Sequence, residues 1–218
     1  MTHLSPFGVI VPLYRDCIYP YLVSRMGNPK PIRDLRRKVI ALAYGTVLEV
    51  GAGAGANFRH YDPERVTKVY ALEPNARMIV LAEMQRPANL AVEYLQLPGE
   101  RVSLPEASVD SVVSTFTLGT IPDVLSALQA MRRVLRPEGK LIFLELGLAP
   151  EAAVQRWQKR WEPAARWLFE GLYLTRDTPS LLVEGGFQVK TLEATYLAAF
   201  PKSWTSCCWG IARLSVNT

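Results

Sequence analysis

The sequence predicts a doubly wound α/β fold: a seven-stranded, mostly parallel sheet with helices on both faces. Three observations predict it. Short β-rich runs alternate with helical patterns between residues 46 and 146. The first of these runs, VLEV at 47–50, passes straight into the glycine turn GAGAG at 51–55. Two closing strand-like runs have no crossover helix between them, which makes the addition of the last strand antiparallel.

Residues 1–30 are aromatic and punctuated by Pro6, Pro12, Pro20 and Pro29, which suits one or two short helices broken near Pro20. Residues 32–43 read as a helix with Ile32, Leu35, Val39 and Leu42 on one face. Arg33, Arg36, Arg37 and Lys38 are expected on its solvated side. Strands follow at 46–50, 66–72, 90–96, 109–116 and 140–146. A helix is expected to begin after Gly55, and another to span 74–86 with Pro74 at an early position, where a missing N–H costs little. A third spans 122–136, with Val124, Leu128, Met131 and Leu135 on one stripe, before an Arg136-Pro137-Glu138-Gly139 turn. Residues 151–170 form a helix whose Val154, Trp157, Trp161, Ala164 and Leu168 share a face expected to pack into the core. A short helix at 177–184 ends at Gly185-Gly186. The two closing strands follow, and CCWGIA at 207–212 is apolar enough to lie inside the sheet.

At 218 residues the chain reads as a helical lid or extension (1–43) and one main domain (44–218). A 49% hydrophobic fraction excludes global disorder. The net charge of +5 and pI near 9.2 are mildly basic, yet no nucleic-acid-binding signature accompanies them. Cys17, Cys207 and Cys208 form no C-x-x-C, and His3 and His60 are the only histidines, so neither a metal site nor a disulfide scaffold is expected. The apolar run 4–14 is broken by Pro6, Gly8 and Pro12 and falls short of the ~20 residues that span a bilayer. A soluble or membrane-peripheral cytoplasmic protein is the expectation.

The chemistry concentrates at the glycine turn. Without Cβ atoms, Gly51 and Gly53 let backbone N–H groups approach a ligand, and Gly55 lets the next element start close to the strand. Gly51, Gly53 and Ala56 satisfy a dinucleotide pattern, while Glu49, Gly51, Gly53 and Gly55 satisfy that of S-adenosylmethionine enzymes. Glu73 ends the second strand, placed to accept from ribose hydroxyls. On the turn alone both ligands stay open.

VLEVGAGAG, ALEPNARM, GERVSLPEASVDSVVS and LRPEGKLIFLE, in this order, resemble the motifs of class I S-adenosylmethionine-dependent methyltransferases, over roughly residues 44–146. GANFRHYDP, the tryptophan-rich helix and GLYLTRDTPSLLVEGGF add a narrower resemblance, to small-thiol S-methyltransferases of the microsomal alkyl-thiol group and their bacterial relatives. Quinone C-methyltransferases and phospholipid N-methyltransferases are similar more distantly. The resemblance implies a Rossmann-like fold with S-adenosylmethionine as cofactor and no metal. It implies Tyr14, Glu49, Gly51, Gly53 and Gly55 around the methionine moiety, and Glu73 on the ribose. Pro74, Met78, Gly99 and Glu100 fall at the adenine, and Thr115 beneath the cofactor. Phe116, Leu118 and Arg176 fall on the substrate side. The thiol group carries Glu-His-Val after the fifth strand where this chain has Glu145-Leu146-Gly147, so the histidine is missing here.

The implied reaction is in-line methyl transfer, which needs positioning and exclusion of water more than acid–base chemistry. A thiol of pKa ~8.5 activates itself, which suits a chain with two histidines. The base candidates are His60 and Glu145. The acceptor expected is a small hydrophobic molecule, a thiol first and a phospholipid amine or quinone precursor second, with no nucleic acid partner and with peripheral membrane contact left open. An NAD-dependent oxidoreductase and a non-catalytic binding module are the readings from other classes.

Overall fold

The computed structural model describes residues 19–21, 29–197 and 201–215. Seven strands form one sheet in the order β3-β2-β1-β4-β5-β7-β6. They are β1 (Gly45–Val50), β2 (Val66–Leu72), β3 (Val92–Leu95), β4 (Val109–Thr115), β5 (Leu135–Leu146), β6 (Phe187–Tyr196) and β7 (Ser206–Leu214). The first five pair in parallel, and β7 runs antiparallel between β5 and β6. The doubly wound, mostly parallel architecture with an antiparallel last strand is therefore the one the sequence predicts, and CCWGIA does lie inside the sheet. The helices are α1 (Lys30–Ile40), α2 (Ala76–Gln85), α3 (Val124–Val134), α4 (Ala152–Leu168), α5 (Thr178–Glu184) and α6 (Lys202–Thr205).

Strands buried on both faces explain the apolar runs. Leu48, Val50, Val112, Leu141 and Phe143 face one core, shared with Leu128 and Met131 of α3. Their neighbours Val47, Val113, Ile142 and Leu144 face the other, shared with Ile32, Val39 and Ile40 of α1. Each fully buried side chain of this size contributes about 1.5–3 kcal/mol. Helix α1, inside the 1–43 division of the sequence, thus packs directly on the sheet.

Four local expectations are corrected. No α-helix follows Gly55; a single 3-10 turn spans Phe58–His60 and ends at Tyr61 in extended backbone. Pro63 accounts for this, since it bars helix continuation and biases the residue before it towards extended backbone. Pro74 precedes its helix instead of opening it: α2 is capped by Asn75, whose side chain accepts from Arg77 N and Met78 N. The RPEG turn is absorbed into β5 as a bulge, where Leu135 to Lys140 lies against Val109 to Ser111 of β4.

The fourth correction concerns α4. Its buried residues are Gln158 and Ala165, while Trp157 and Trp161 are 54% and 44% exposed, as is Trp167 at 75%. At Gln158 the inward side of α4 meets backbone, and two turns on Ala165 packs with Leu172 and Leu174. Gln158 donates to the carbonyls of Gly147 (2.9 Å) and Leu174 (3.0 Å) and accepts from Ala149 N (2.9 Å). An amide matches those buried backbone groups; an indole, with one donor, does not.

Candidate active site

Strand order reverses between β1 and β4, so their carboxyl ends frame a crevice, the usual ligand position of open α/β sheets. A cavity of about 880 Å³ occupies it. Gly51 and Gly53 of the turn, Glu73 and Pro74 after β2, Met78 of α2, and Gly99 and Glu100 all line it. So do Thr115 and Phe116 at the end of β4.

The glycines act differently from one another. A Cβ on Gly53 would meet nothing within 4 Å, because that side of the residue is open cavity. A Cβ on Gly51 would come within 2.3 Å of the Thr117 side chain. Gly55 faces Phe58 and Ala82 and does not line the cavity. Glu73 fastens the turn: one oxygen accepts from Gly53 N and the other from Asn75 N, both at 2.9 Å. Burial raises its pKa. Each oxygen keeps acceptor capacity towards the cavity.

Glu49 points away from the cavity. It lies in a buried network, accepting from Asn57 Nδ2 (2.9 Å) and Tyr61 Oη (2.7 Å). Burial pushes its pKa up to about 7. The network continues to Arg36, whose Nη1 donates to Asn57 Oδ1 (2.8 Å) and Thr115 Oγ1 (2.7 Å). Arg36 is only 7% exposed, yet it lines the cavity. Its Nε has no partner among the described residues, and its guanidinium sits 4.9 Å from the Phe116 ring centre. Burial lowers its pKa to about 10, so it stays charged at neutral pH. Composition and charge patterning place this residue on the surface, and the structure corrects that. The signal that finds it is spacing: Ile32, Arg36, Val39 and Ile40 form the buried stripe of α1.

Neither base candidate reaches the cavity. Glu145 is fully buried behind it, accepting from Ser114 Oγ (2.6 Å), Thr117 N (2.8 Å) and Leu118 N (3.1 Å). These bonds clamp the turn that holds Phe116 at φ +55°, a left-handed conformation that costs of order 1–3 kcal/mol. Burial pushes Glu145 up to about 7. His60 sits on the 3-10 turn outside the lining, with its pKa lowered mainly by burial. The side chain of Leu118 is in the core. Arg176 stands one layer back, donating to the carbonyls of Leu118 and Pro122 and stacking on Tyr173. It supports the 118–122 segment without lining the cavity. Tyr14 lies outside the described residues. No group of three or more His, Cys, Asp or Glu suited to a metal ion occurs among the described residues.

Taken together, the glycine turn, the acid on the next strand and the cavity at the strand reversal define an α/β enzyme that binds a nucleoside-bearing ligand. A family described as a methyltransferase domain matches residues 48–143. Human thiol S-methyltransferase TMT1B is 34% identical over 176 residues, which covers 73% of this chain and 71% of that protein. Human thiol S-methyltransferase TMT1A is 34% identical over 164 residues, covering 73% and 65%. Among solved structures, a SAM-dependent methyltransferase from Leishmania major superposes with a TM-score of 0.68 at 16% identity, covering 95% of this chain and 82% of the other. The chain belongs to the class I S-adenosylmethionine-dependent methyltransferases, in the family of these thiol S-methyltransferases.

Proposed function

We propose that this methyltransferase transfers the methyl group of S-adenosylmethionine to a small hydrophobic thiol. The observation that carries the reading is the likeness to thiol methyltransferases over most of the chain. The site's chemistry agrees with it. Neither histidine nor lysine lines the cavity among the described residues, and both base candidates lie outside it. An acceptor that ionises by itself near neutral pH needs neither.

The cavity's donors fit the cofactor. Open space at Gly53 admits the methionine moiety beside the turn's backbone, Glu73 takes the ribose hydroxyls, and Met78, Gly99 and Glu100 border the adenine. Arg36, which lines the cavity and whose Nε has no partner among the described residues, is the cation placed to receive the cofactor's carboxylate. When bound, S-adenosylmethionine supplies an activated methyl group and departs as the thioether with the bond's electron pair. The chain then has to orient an incoming thiolate sulfur in line with that bond and keep water out. Phe116, fixed by the Glu145 clamp, forms the apolar wall for this approach.

Two results test the proposal. Mass spectrometry after incubation with short alkyl thiols is expected to show the methyl thioether, with kcat/KM rising about tenfold per pH unit below the thiol's pKa of ~8.5. Methylated phosphatidylethanolamine in vesicles, with no methylated thiol from cofactor-bound protein, overturns the thiol assignment. Separately, Gly53→Val is expected to weaken S-adenosylhomocysteine binding roughly 10–10²-fold, the equivalent of about 1–3 kcal/mol of overpacking. Calorimetric titration reads this, and unchanged affinity would remove the turn from the cofactor site.

A further inference from the structure

We infer that the outer face of α4 docks on an anionic lipid bilayer. Helix α4 buries only Gln158 and Ala165 and leaves its largest apolar side chains exposed. Its inner side is held by the polar contacts of Gln158 and by Glu162, which accepts from Thr175 N (2.8 Å) and Thr175 Oγ1 (2.6 Å). Its flank towards α6 carries Trp157 and Trp161, one turn apart, with the Trp161 ring tilted against Trp204 at 6.3 Å; Trp167 lies further round the helix, and each of the three is at least 44% exposed. Large exposed indoles gathered on one helix mark an interaction surface.

The charges beside them have one sign. Arg156, Lys159, Arg160 and Arg166 are exposed, whereas the helix's one acid, Glu162, is half-buried and bonded to Thr175. Arg160 lies over Trp157 at 5.8 Å from the ring centre. A trough of about 310 Å³ runs between α4 and α6, with Val154, Trp157, Trp161 and Pro201 on its apolar walls and Lys202 and Ser203 completing it. Interleaved indoles and cations beside an apolar trough match the boundary between lipid head groups and acyl chains, where Trp is enriched and polybasic segments meet anionic head groups. A nucleic-acid backbone would use the cations and leave the trough unfilled.

The docked geometry has a consequence for the enzyme. Gln158 ties α4 to the segment leaving β5, and Glu170, just past the end of α4, reaches the rim of the main cavity. The carboxyl edge of the sheet, where the cavity opens, therefore lies beside the docked face, near any acceptor dissolved in the lipid. No helix among the described residues is long and apolar enough to cross a membrane.

Tryptophan fluorescence of the full chain tests this, because all five tryptophans lie at 157, 161, 167, 204 and 209, none of them in residues 1–30. Vesicles of brominated phosphatidylcholine with phosphatidylglycerol are expected to quench the emission, and purely zwitterionic brominated vesicles to quench it far less. The double variant Trp157→Phe with Trp161→Phe is expected to lose at least half of the quenching. Replacing Arg156, Lys159 and Arg160 together by Gln is expected to lower partitioning roughly 10²-fold, at about fivefold per cation. The same triple variant should methylate a water-soluble thiol at the unaltered rate, which shows that it is folded. Pelleting with vesicles without quenching places the contact elsewhere and overturns the inference. So does equal binding to neutral vesicles, an unchanged triple variant, or no binding at all.

Discussion

Arg36→Met is expected to lower affinity for S-adenosylhomocysteine about 10²-fold while changing affinity for its decarboxylated analogue less than about threefold. The large effect follows from where the guanidinium lies. It is buried and fixed by Asn57 and Thr115, so under the proposed cofactor placement its charge would act on the carboxylate with little solvent between them. Removing one partner of a buried, hydrogen-bonded charge pair costs about 2–5 kcal/mol. The analogue lacks the carboxylate, so it has nothing to lose with the arginine. Calorimetric titration of both ligands against both proteins gives the coupling directly. Equal losses for the two ligands would mean that Arg36 only braces the end of β4 through Thr115. Arg36→Lys keeps the charge without the fork of donors, and is expected to recover part of the affinity.

Glu145→Gln is expected to change stability little at pH 5 and to raise it by up to about 3 kcal/mol at pH 8. The folded carboxyl titrates at about 7 against an ordinary value of 4.5, chiefly because it is buried. Between those values the folded protein keeps a proton that the unfolded chain has lost, so the contribution is full below 4.5 and fades as pH rises through 7. Each tenfold difference in proton affinity between the two states is worth about 1.4 kcal/mol, which sets the ceiling. Gln reproduces the neutral form: its carbonyl accepts from Thr117 N and Leu118 N while its amide donates to Ser114 Oγ. Urea unfolding of both proteins at the two pH values measures the difference. A variant that is destabilised equally at both would show that the ionised carboxylate is what holds the Phe116 turn.

The strands are legible in the sequence because burial on both faces leaves long apolar runs, and VTKVYAL coincides with β2 to the residue. The cavity is legible through small residues and an acid at strand ends, which is how Gly51, Gly53, Glu73 and Thr115 stand out. The motif misplaces Glu49, because alternation along β1 turns it into the second core, where Tyr61 and Asn57 hold it. Arg36 is hidden by its neighbours: among Arg33, Arg37 and Lys38 it reads as one more solvated cation. The outward tryptophans of α4 mislead since composition states how apolar a helix is, not which side of it meets buried backbone carbonyls. Leu118 and Arg176 fall in the right segment, but they brace the wall of the cavity from behind it.

The place of β7 governs how the protein can be made. It pairs with β5 on one side and β6 on the other, so a strand emerging near residue 214 completes the middle of the sheet. Until then β5 has one unpaired edge, along a stretch that includes Leu141, Ile142, Phe143 and Leu144. Ribosomal synthesis of the intervening chain takes on the order of ten seconds. An apolar edge open that long is a template for strand addition by another nascent chain. The enzyme's yield in a cell therefore depends on what shields that edge during translation, a demand placed on chaperones by topology alone.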